Sequence, residues 1–202
     1  KQYYAAEIDK HAIQVTQHNF PNTIQLGDVT KVFAKDLPKI DLLIGGSPCQ
    51  GFSFAGKQLA FDDPRSKLFF EFVRLKNECN PTYFMLENVK MKKEFEIIIS
   101  KYMGVAPIEI NSALLSAQNR VRLYWTNIAA EPYGLFGDMQ CMIPQPKDKG
   151  ILLRDILQSN VADKYYLTDK AIDRLNKAQL IGIKAKVDPE KSGTITIKNQ
   201  SG

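Results

Sequence analysis

Three stretches of this sequence carry side chains that can act as a nucleophile, as an acid or base, and as an anion binder. In the first, residues 41–53, a short apolar run ends at two glycines and is followed at once by Ser-Pro-Cys-Gln. A thiolate in such a loop is a strong nucleophile, although an isolated cysteine is more often a small buried apolar residue. Pro48 fixes its own φ angle and restricts Ser47, so we predict that a stiff turn presents Cys49.

The other two stretches supply a carboxyl group and a row of polar side chains. Glu87 opens the tripeptide Glu-Asn-Val directly after an apolar run, where a carboxyl group can exchange a proton with a ligand. Residues 118–125 predict a strand in which Gln118, Arg120 and Arg122 share one face, because alternate residues of a strand point the same way. By itself such a row is also typical of a solvated strand face.

The elements that must position these residues alternate between strand and helix. Predicted strands cover residues 3–7, 23–26, 42–44, 83–86, 105–111, 118–125 and 192–198, and predicted helices cover 10–19, 65–80, 91–102, 152–157 and 168–179. This alternation predicts a doubly wound, mostly parallel α/β sheet. In such sheets ligands bind beyond the carboxyl ends of the strands. We therefore expect Cys49 and Glu87 to lie beside each other at that edge.

Acidic residues follow the first two predicted strands. Glu7 ends the first strand and Asp28 follows the second. In Rossmann-like sheets a carboxylate after a strand accepts hydrogen bonds from ribose hydroxyls, and Asp28 can take the exocyclic amine of an adenine. Either acid can equally be a helix cap or a solvated turn residue. The pair is compatible with a nucleoside ligand.

Composition restricts the class of protein. The 202 residues are 44% hydrophobic and 24% charged, which is typical of a globular domain with at most a small second lobe. The net charge of +5 permits an anionic partner such as nucleic acid. No apolar run has the length of a membrane span, and the three cysteines have neither disulfide-framework nor metal-site spacing. We expect no metal, no membrane association and a reducing compartment.

The loop Pro-Cys-Gln-Gly-Phe-Ser at 48–53 resembles the nucleophile loop of the DNA cytosine-5 methyltransferases. Glu-Asn-Val at 87–89 and Gln-x-Arg-x-Arg at 118–122 are similar to two further motifs of that family, in the same order. The resemblance covers about residues 3–128. It implies a Rossmann-like methyltransferase fold and transfer of a methyl group from S-adenosylmethionine to carbon 5 of cytosine in DNA.

The resemblance also implies a role for each matching residue. Cys49 would add to carbon 6 of the cytosine, Glu87 would hydrogen-bond or protonate N3, and Arg122 would bind O2. Arg120 would orient Glu87 or a phosphate. Residues implied to bind the cofactor are Glu7 and Ile8 (ribose and adenine), Asp28, Val29, Pro48 and Leu68, and those implied to contact DNA are Gln50, Ser53 and Gln118.

Domains and partners follow from the same resemblance. Residues 1–130 would form the catalytic core and 131–202, where prolines interrupt regular structure, the start of a target-recognition region. The partner would be double-stranded DNA with the target cytosine flipped out, because carbon 5 and carbon 6 cannot be attacked within the duplex. A restriction endonuclease is a further partner that the family allows. The protein would be a cytoplasmic one of prokaryotic or phage origin.

Two family features are not found, and three alternatives stay open. The Gly-rich first motif and the closing motifs have no counterpart, so we expect a central fragment that is incomplete at both ends, binds S-adenosylmethionine poorly by itself and has little or no activity alone. A tRNA cytosine-5 methyltransferase and a catalytically silent DNA-binding or regulatory protein would share most of these residues. A nicotinamide-dependent oxidoreductase is the third alternative, but the sequence has no GxGxxG turn.

Overall fold

The structure, a computed structural model, describes residues 2–47, 67–135, 137–180 and 190–192. In these ranges the strands are β1 (Tyr4–Ala5), β2 (Ile24–Gln25), β3 (Leu42–Gly46), β4 (Tyr83–Asn88), β5 (Ile108–Asn111), β6 (Val121–Thr126), β7 (Ala130–Tyr133) and β8 (Asp138–Cys141). The α-helices are α1 (Lys10–Asn19), α2 (Lys67–Cys79), α3 (Lys93–Met103) and α4 (Asp169–Leu180). Short 3₁₀ turns lie at Val29–Lys31, Ala34–Asp36, Ser112–Leu114, Leu153–Asp155 and Asp163–Tyr165.

The predicted helix at 10–19 is confirmed residue for residue. Its cap is the Asp9 carboxylate, which accepts hydrogen bonds from the amides of His11 and Ala12 at 2.8 and 2.9 Å. These bonds satisfy two of the amides that the first turn of any helix leaves without a partner. The segment predicted as a helix at 152–157 forms instead a single 3₁₀ turn, Leu153–Asp155.

A four-stranded sheet in the order β3-β4-β6-β5 forms the centre of the fold, which confirms the predicted α/β class. β3 and β4 are parallel, whereas β4 and β6 are antiparallel, so the sheet is mixed. β1 and β2 pair in parallel as a separate two-stranded sheet. Because β6 runs against β4, the beginning of β6 lies beside the carboxyl end of β4.

Helices α2 and α3 cover one face of this sheet with apolar side chains. Fully buried residues are Phe69 on α2, Ile99 on α3, and Leu86 and Trp125 on the strands. The Trp125 indole N–H donates to the Ser100 hydroxyl at 2.9 Å, which satisfies the one polar atom of this side chain. Burying each large side chain stabilises the fold by about 1.5–3 kcal/mol. The apolar stripe predicted on the helix at 65–80 therefore packs in the core.

Gly45 allows α2 to approach β3 closely. A Cβ atom at this position would lie 2.5 Å from Cδ2 and 2.9 Å from Cε2 of the buried Phe72 ring. We expect Gly45→Ala to lower the free energy of unfolding by about 1–3 kcal/mol, because the ring must shift within a packed core. Urea denaturation of Gly45→Ala, Phe72→Leu and the double variant measures this. Strictly additive losses would contradict the clash, since a smaller side chain at 72 should relieve it.

The chain divides into two compact units. One comprises the described residues up to Ile110 together with Arg122–Pro144, and the other comprises Asn111–Val121 and the described residues from Gln145 onwards. The predicted division into 1–130 and 131–202 concerns functional domains and stays a prediction. No helix in the described ranges is long and apolar enough to cross a membrane.

Candidate active site

Glu87 and Arg122 form an ion pair at the carboxyl end of β4. Glu87 is the next-to-last residue of β4 and Arg122 the second residue of β6, and the antiparallel register sets Glu87 opposite Tyr124. Arg122 shares the face of Tyr124 because alternate residues of a strand point the same way. Its Nε atom lies 2.9 Å from Oε1 of Glu87, with 12% of the arginine and 31% of the glutamate side chain exposed. A carboxylate and a guanidinium are thus held together in a partly desolvated setting.

Gly46 makes room for the Glu87 carboxylate. The two residues are register partners across the parallel β3–β4 pair. A Cβ atom at position 46 would lie 3.1 Å from Oε2 of Glu87, tighter than an ordinary contact. Any side chain here would therefore crowd the carboxylate. The register of β3 against β4 thus gives Gly46 a role beside the carboxylate that the end of a strand alone does not require.

Asn88 connects the end of β4 to the end of β3. Its side chain is buried, and Nδ2 donates to the carbonyl oxygen of Ser47 at 3.4 Å and to its hydroxyl at 3.2 Å. Oδ1 accepts from the amide of Val89 at 2.8 Å. Sequence reasoning gave Asn88 no role of its own. Its place at the end of an apolar strand could have indicated that it is buried. A buried amide needs hydrogen-bond partners, which here lie on Ser47.

Removing the Asn88 amide should destabilise this end of the sheet. We expect Asn88→Ala to lower the free energy of unfolding by about 1–3 kcal/mol, because a buried hydrogen-bonding group is lost and Ser47 loses its partner. Urea denaturation measures the change, with Asn77→Ala on the exposed side of α2 as the matched control. Equal effects of the two substitutions would contradict a special role of the buried amide.

The predicted nucleophile lies outside the described residues. β3 ends at Gly46 and the described residues continue to Ser47, whereas Pro48, Cys49, Gln50 and Ser53 all fall in the segment 48–66. Their predicted roles therefore stay predictions. Within the described part, Ser47 is the residue from which this loop departs, and Asn88 contacts it.

The second unit contains Gln118 and Arg120, and the strand predicted to begin at 118 begins only at Val121. The Arg120 carbonyl accepts from the Ser112 amide at 3.1 Å, and the Arg120 amide donates to Oδ1 of Asn111 at 3.1 Å. The Gln118 carbonyl accepts from the Ser112 hydroxyl at 2.8 Å. These bonds tie the backbone of residues 118–120 to Asn111 and Ser112, and Gln118 forms an isolated parallel bridge with Ser192, so these residues lie outside β6. The expectation that one strand aligns Gln118, Arg120 and Arg122 was therefore wrong.

Glu7 and Ile8 follow the end of β1 directly after Ala6. Oε1 of Glu7 accepts hydrogen bonds from the amides of Ile8 and Asp9 at 2.7 and 2.8 Å, which holds the carboxylate beside the strand end. Two carboxylate oxygens can accept further bonds, for example from ribose hydroxyls. Ile8 is 78% exposed, so it offers an apolar surface on which a flat base can stack. The end of β1 therefore presents a fixed hydrogen-bond acceptor beside an exposed apolar side chain.

Asp28 and Val29 stand at the equivalent position after β2. The Asp28 carboxylate accepts from the amide and the hydroxyl of Thr30, at 3.0 and 2.8 Å, and begins the 3₁₀ turn Val29–Lys31. The amide bond first, and then the hydroxyl bond, hold the pKa of Asp28 below its ordinary value of 3.8. Asp28 is therefore a carboxylate at neutral pH and can accept a hydrogen bond from an amine.

Leu68, the remaining predicted cofactor residue in the described part, is half-buried on α2.

No three His, Cys, Asp or Glu side chains among the described residues are grouped as metal ligands would be.

Comparison with known proteins identifies relatives over most of the chain. The family model of the C-5 cytosine-specific DNA methylases matches residues 1–199. The type II methyltransferase M1.ScrFI of Lactococcus lactis subsp. cremoris is 39% identical in an alignment of 185 residues that covers 86% of this chain and 46% of that protein. The type II methyltransferase M.NlaX of Neisseria lactamica is 33% identical in an alignment of 178 residues that covers 83% of this chain and 55% of that protein. The chain thus spans about half the length of these curated relatives.

A solved structure is also similar. It is a prophage-encoded E. coli protein assigned as a DNA modification methyltransferase, with a TM-score of 0.52 and 31% sequence identity. The similarity covers 61% of this chain and 39% of that one.

Proposed function

Because the chain belongs to the C-5 cytosine-specific DNA methylase family, we propose that the protein transfers a methyl group from S-adenosylmethionine to carbon 5 of cytosine in DNA. The observation that carries the proposal is the Glu87–Arg122 ion pair, which lies at the carboxyl edge of the sheet where the neighbouring strand leads into the Cys49 loop. The proposal concerns the whole protein, because the chain spans about half of its curated relatives.

Carbon 5 of cytosine is a poor nucleophile, so the reaction needs a group on the protein that first adds to the ring and activates it. Addition of the Cys49 thiolate to carbon 6 would make the ring an enamine, in which carbon 5 carries electron density. Bound S-adenosylmethionine supplies an electrophilic methyl group on a sulfonium. After methyl transfer, loss of the proton on carbon 5 would expel Cys49 and restore the ring.

The ion pair would stabilise charge that develops on the pyrimidine during the addition. Electron density pushed into the ring accumulates at N3 and O2. Glu87, in its acid form, would donate a hydrogen bond or its proton to N3, and the Arg122 guanidinium would donate to O2. Their mutual contact fixes both groups before the base arrives, so little reorganisation is needed during the reaction. The low exposure of Arg122 supports this role, because water screens a half-buried charge less than an exposed one.

The cofactor would be held by residues after β1 and β2. Glu7 would accept hydrogen bonds from the ribose hydroxyls, Ile8 would stack on the adenine, and Asp28 would accept from its exocyclic amine. The bonds that fix both carboxylates and the exposure of Ile8 support this assignment. Val29 and Leu68 would contribute apolar contacts, and Pro48 would complete the set.

The DNA would be bound with its target cytosine rotated out of the helix. Gln50, Ser53 and Gln118 would contact the backbone or the space that the base leaves, and Arg120 would bind a phosphate or orient Glu87. Residues 131–202 would begin the target-recognition region. A restriction endonuclease would be a further functional partner, and the protein would act in the cytoplasm.

A labelling experiment tests the proposal directly. The full-length protein is incubated with duplex DNA and methyl-labelled S-adenosylmethionine, and the DNA is then hydrolysed to nucleosides and separated. We expect the label in 5-methylcytosine, with none when the DNA is replaced by tRNA. Label only in tRNA would move the assignment to the tRNA methyltransferases. DNA binding without any labelled nucleoside would favour a silent DNA-binding protein.

A further inference from the structure

We propose that Arg74 is a positioning residue for the adenine of the cofactor, because it holds the 3₁₀ turn that begins at Asp28 and Val29 against helix α2. The inference rests on the proposed function, in which Asp28 and Val29 contact the adenine. Arg74 belongs to none of the motifs considered in the sequence, and it lies 45 residues from Val29 along the chain. Its contacts identify it.

One guanidinium nitrogen of Arg74 bridges two backbone carbonyls of the turn. Nη2 donates to the carbonyl oxygen of Val29 at 3.2 Å and to that of Val32 at 2.8 Å. These carbonyls belong to the first residue of the 3₁₀ turn and to the residue that follows its end. The Val29 carbonyl also accepts from the Val32 amide at 3.2 Å within the turn, whereas the Val32 carbonyl lies past its end, so Arg74 ties the closed turn to the residue that follows it.

Two acidic residues of α2 hold the guanidinium in the orientation that this bridge needs. Nε donates to Oε2 of Glu71 at 2.8 Å, and Nη1 donates to Oε2 of Glu78 at 3.0 Å. Glu71 and Glu78 flank Arg74 at helical spacing, so all three lie on one side of α2. The planar fork of an arginine can make these bonds together, whereas a lysine ammonium lacks that fixed geometry.

A second contact fixes the part of the loop that follows the turn. The Arg74 guanidinium carbon lies 5.6 Å from the centre of the Phe33 ring, within the range of a cation–π interaction. Glu78 also accepts from the Ala34 amide at 3.5 Å. Arg74 and its partner carboxylates therefore hold the chain from Val29 to Ala34, and Asp28 precedes this segment directly.

Loss of these contacts should weaken the binding of the adenine more than that of any other part of the cofactor. Asp28 caps the turn through Thr30, so a displaced turn moves the carboxylate that would accept from the adenine amine. Successive residues of β3 face opposite sides of the sheet. Gly45 faces Phe72 of α2, whereas Gly46 faces Glu87, so the Glu87–Arg122 pair lies on the face of the sheet away from α2. We therefore expect a weaker affinity for the cofactor with nearly unchanged turnover at saturation.

The test measures the affinity of the full-length protein for S-adenosylhomocysteine by calorimetric titration, below the melting temperature of every variant. Arg74→Met removes the charge, and Arg74→Lys keeps the charge without the fork. Lys93→Met is the matched control, because Lys93 is an exposed cation on α3 that pairs with Glu96. We expect roughly tenfold weaker binding for Arg74→Met, a smaller loss for Arg74→Lys, and no change for Lys93→Met.

A second ligand distinguishes positioning of the turn from general loss of stability. S-inosylhomocysteine carries a carbonyl oxygen where adenine has its amine, so the wild-type protein should bind it less tightly than S-adenosylhomocysteine. Arg74→Met should reduce this preference, which a merely less stable protein would keep. If the wild-type protein binds S-adenosylhomocysteine and both Arg74 variants keep its affinity and its preference over S-inosylhomocysteine, the role of Arg74 would be overturned and the proposed function would stand. A wild-type protein that binds neither ligand would overturn the proposed function as well.

Discussion

Replacing Cys49 by serine is expected to abolish the covalent adduct between the full-length protein and duplex DNA that carries 5-fluorocytosine. The adduct should form with the wild-type protein and S-adenosylmethionine, because fluorine at carbon 5 cannot leave as a proton does and the final elimination is blocked. A serine hydroxyl is a far weaker nucleophile than a thiolate at neutral pH. We expect methylation of ordinary DNA to fall by more than about 10⁴-fold.

The other two cysteines serve as matched controls for this result. Cys79 is half-buried on α2, where burial first and the nearby Glu78 second raise the pKa of its thiol, and Cys141 is buried. A raised pKa leaves less thiolate at Cys79, and burial keeps the Cys141 sulfur away from a base, so neither residue is expected to attack one. Gel electrophoresis under denaturing conditions should show the adduct in Cys79→Ser and not in Cys49→Ser. Persistence of the adduct in Cys49→Ser would exclude Cys49 as the nucleophile.

Replacing Glu87 by glutamine is expected to lower the turnover of DNA methylation by about 10²–10³-fold. The amide keeps the shape of the side chain but loses the negative charge that pairs with Arg122, and it cannot pass a proton to N3 of the cytosine. Binding of S-adenosylhomocysteine should change little, because the residues proposed to hold the cofactor follow other strands or, for Leu68, lie on α2. Turnover of saturating substrates by purified protein is the measurement.

A double-mutant cycle tests whether Glu87 and Arg122 act as one unit. If the ion pair positions both groups on the same base, Glu87→Gln combined with Arg122→Met should cost little more than the worse single variant. Glu109→Gln is the control, since Glu109 lies on β5 of the same sheet and forms an exposed ion pair with Lys90. Full activity of Glu87→Gln, or a loss as large in Glu109→Gln, would remove Glu87 from the proposed site.

Local sequence determined several elements of this protein by itself. Helix α1 begins and ends where Asp9 and the Phe20-Pro21 pair predicted it, because caps and helix breakers act within a few residues. The apolar run before Glu87 formed β4, and the stripe on α2 packs in the core. The family could also be recognised from short motifs, since a reactive loop needs particular residue types at adjacent positions.

Tertiary structure decided which residues meet. The Glu87–Arg122 pair and the bond from Asn88 to Ser47 depend on the register between strands that are far apart along the chain. The strand predicted from residue 118 begins only at Val121, because the backbone of Gln118 and Arg120 is bonded to Asn111 and Ser112 instead. Neighbouring residues in a sequence predict the local backbone conformation. Contacts such as that of Arg74 with Val29 join residues 45 positions apart and depend on how the helix and the turn pack. Packing joins residues without leaving a local pattern, so these contacts became visible only in the folded chain.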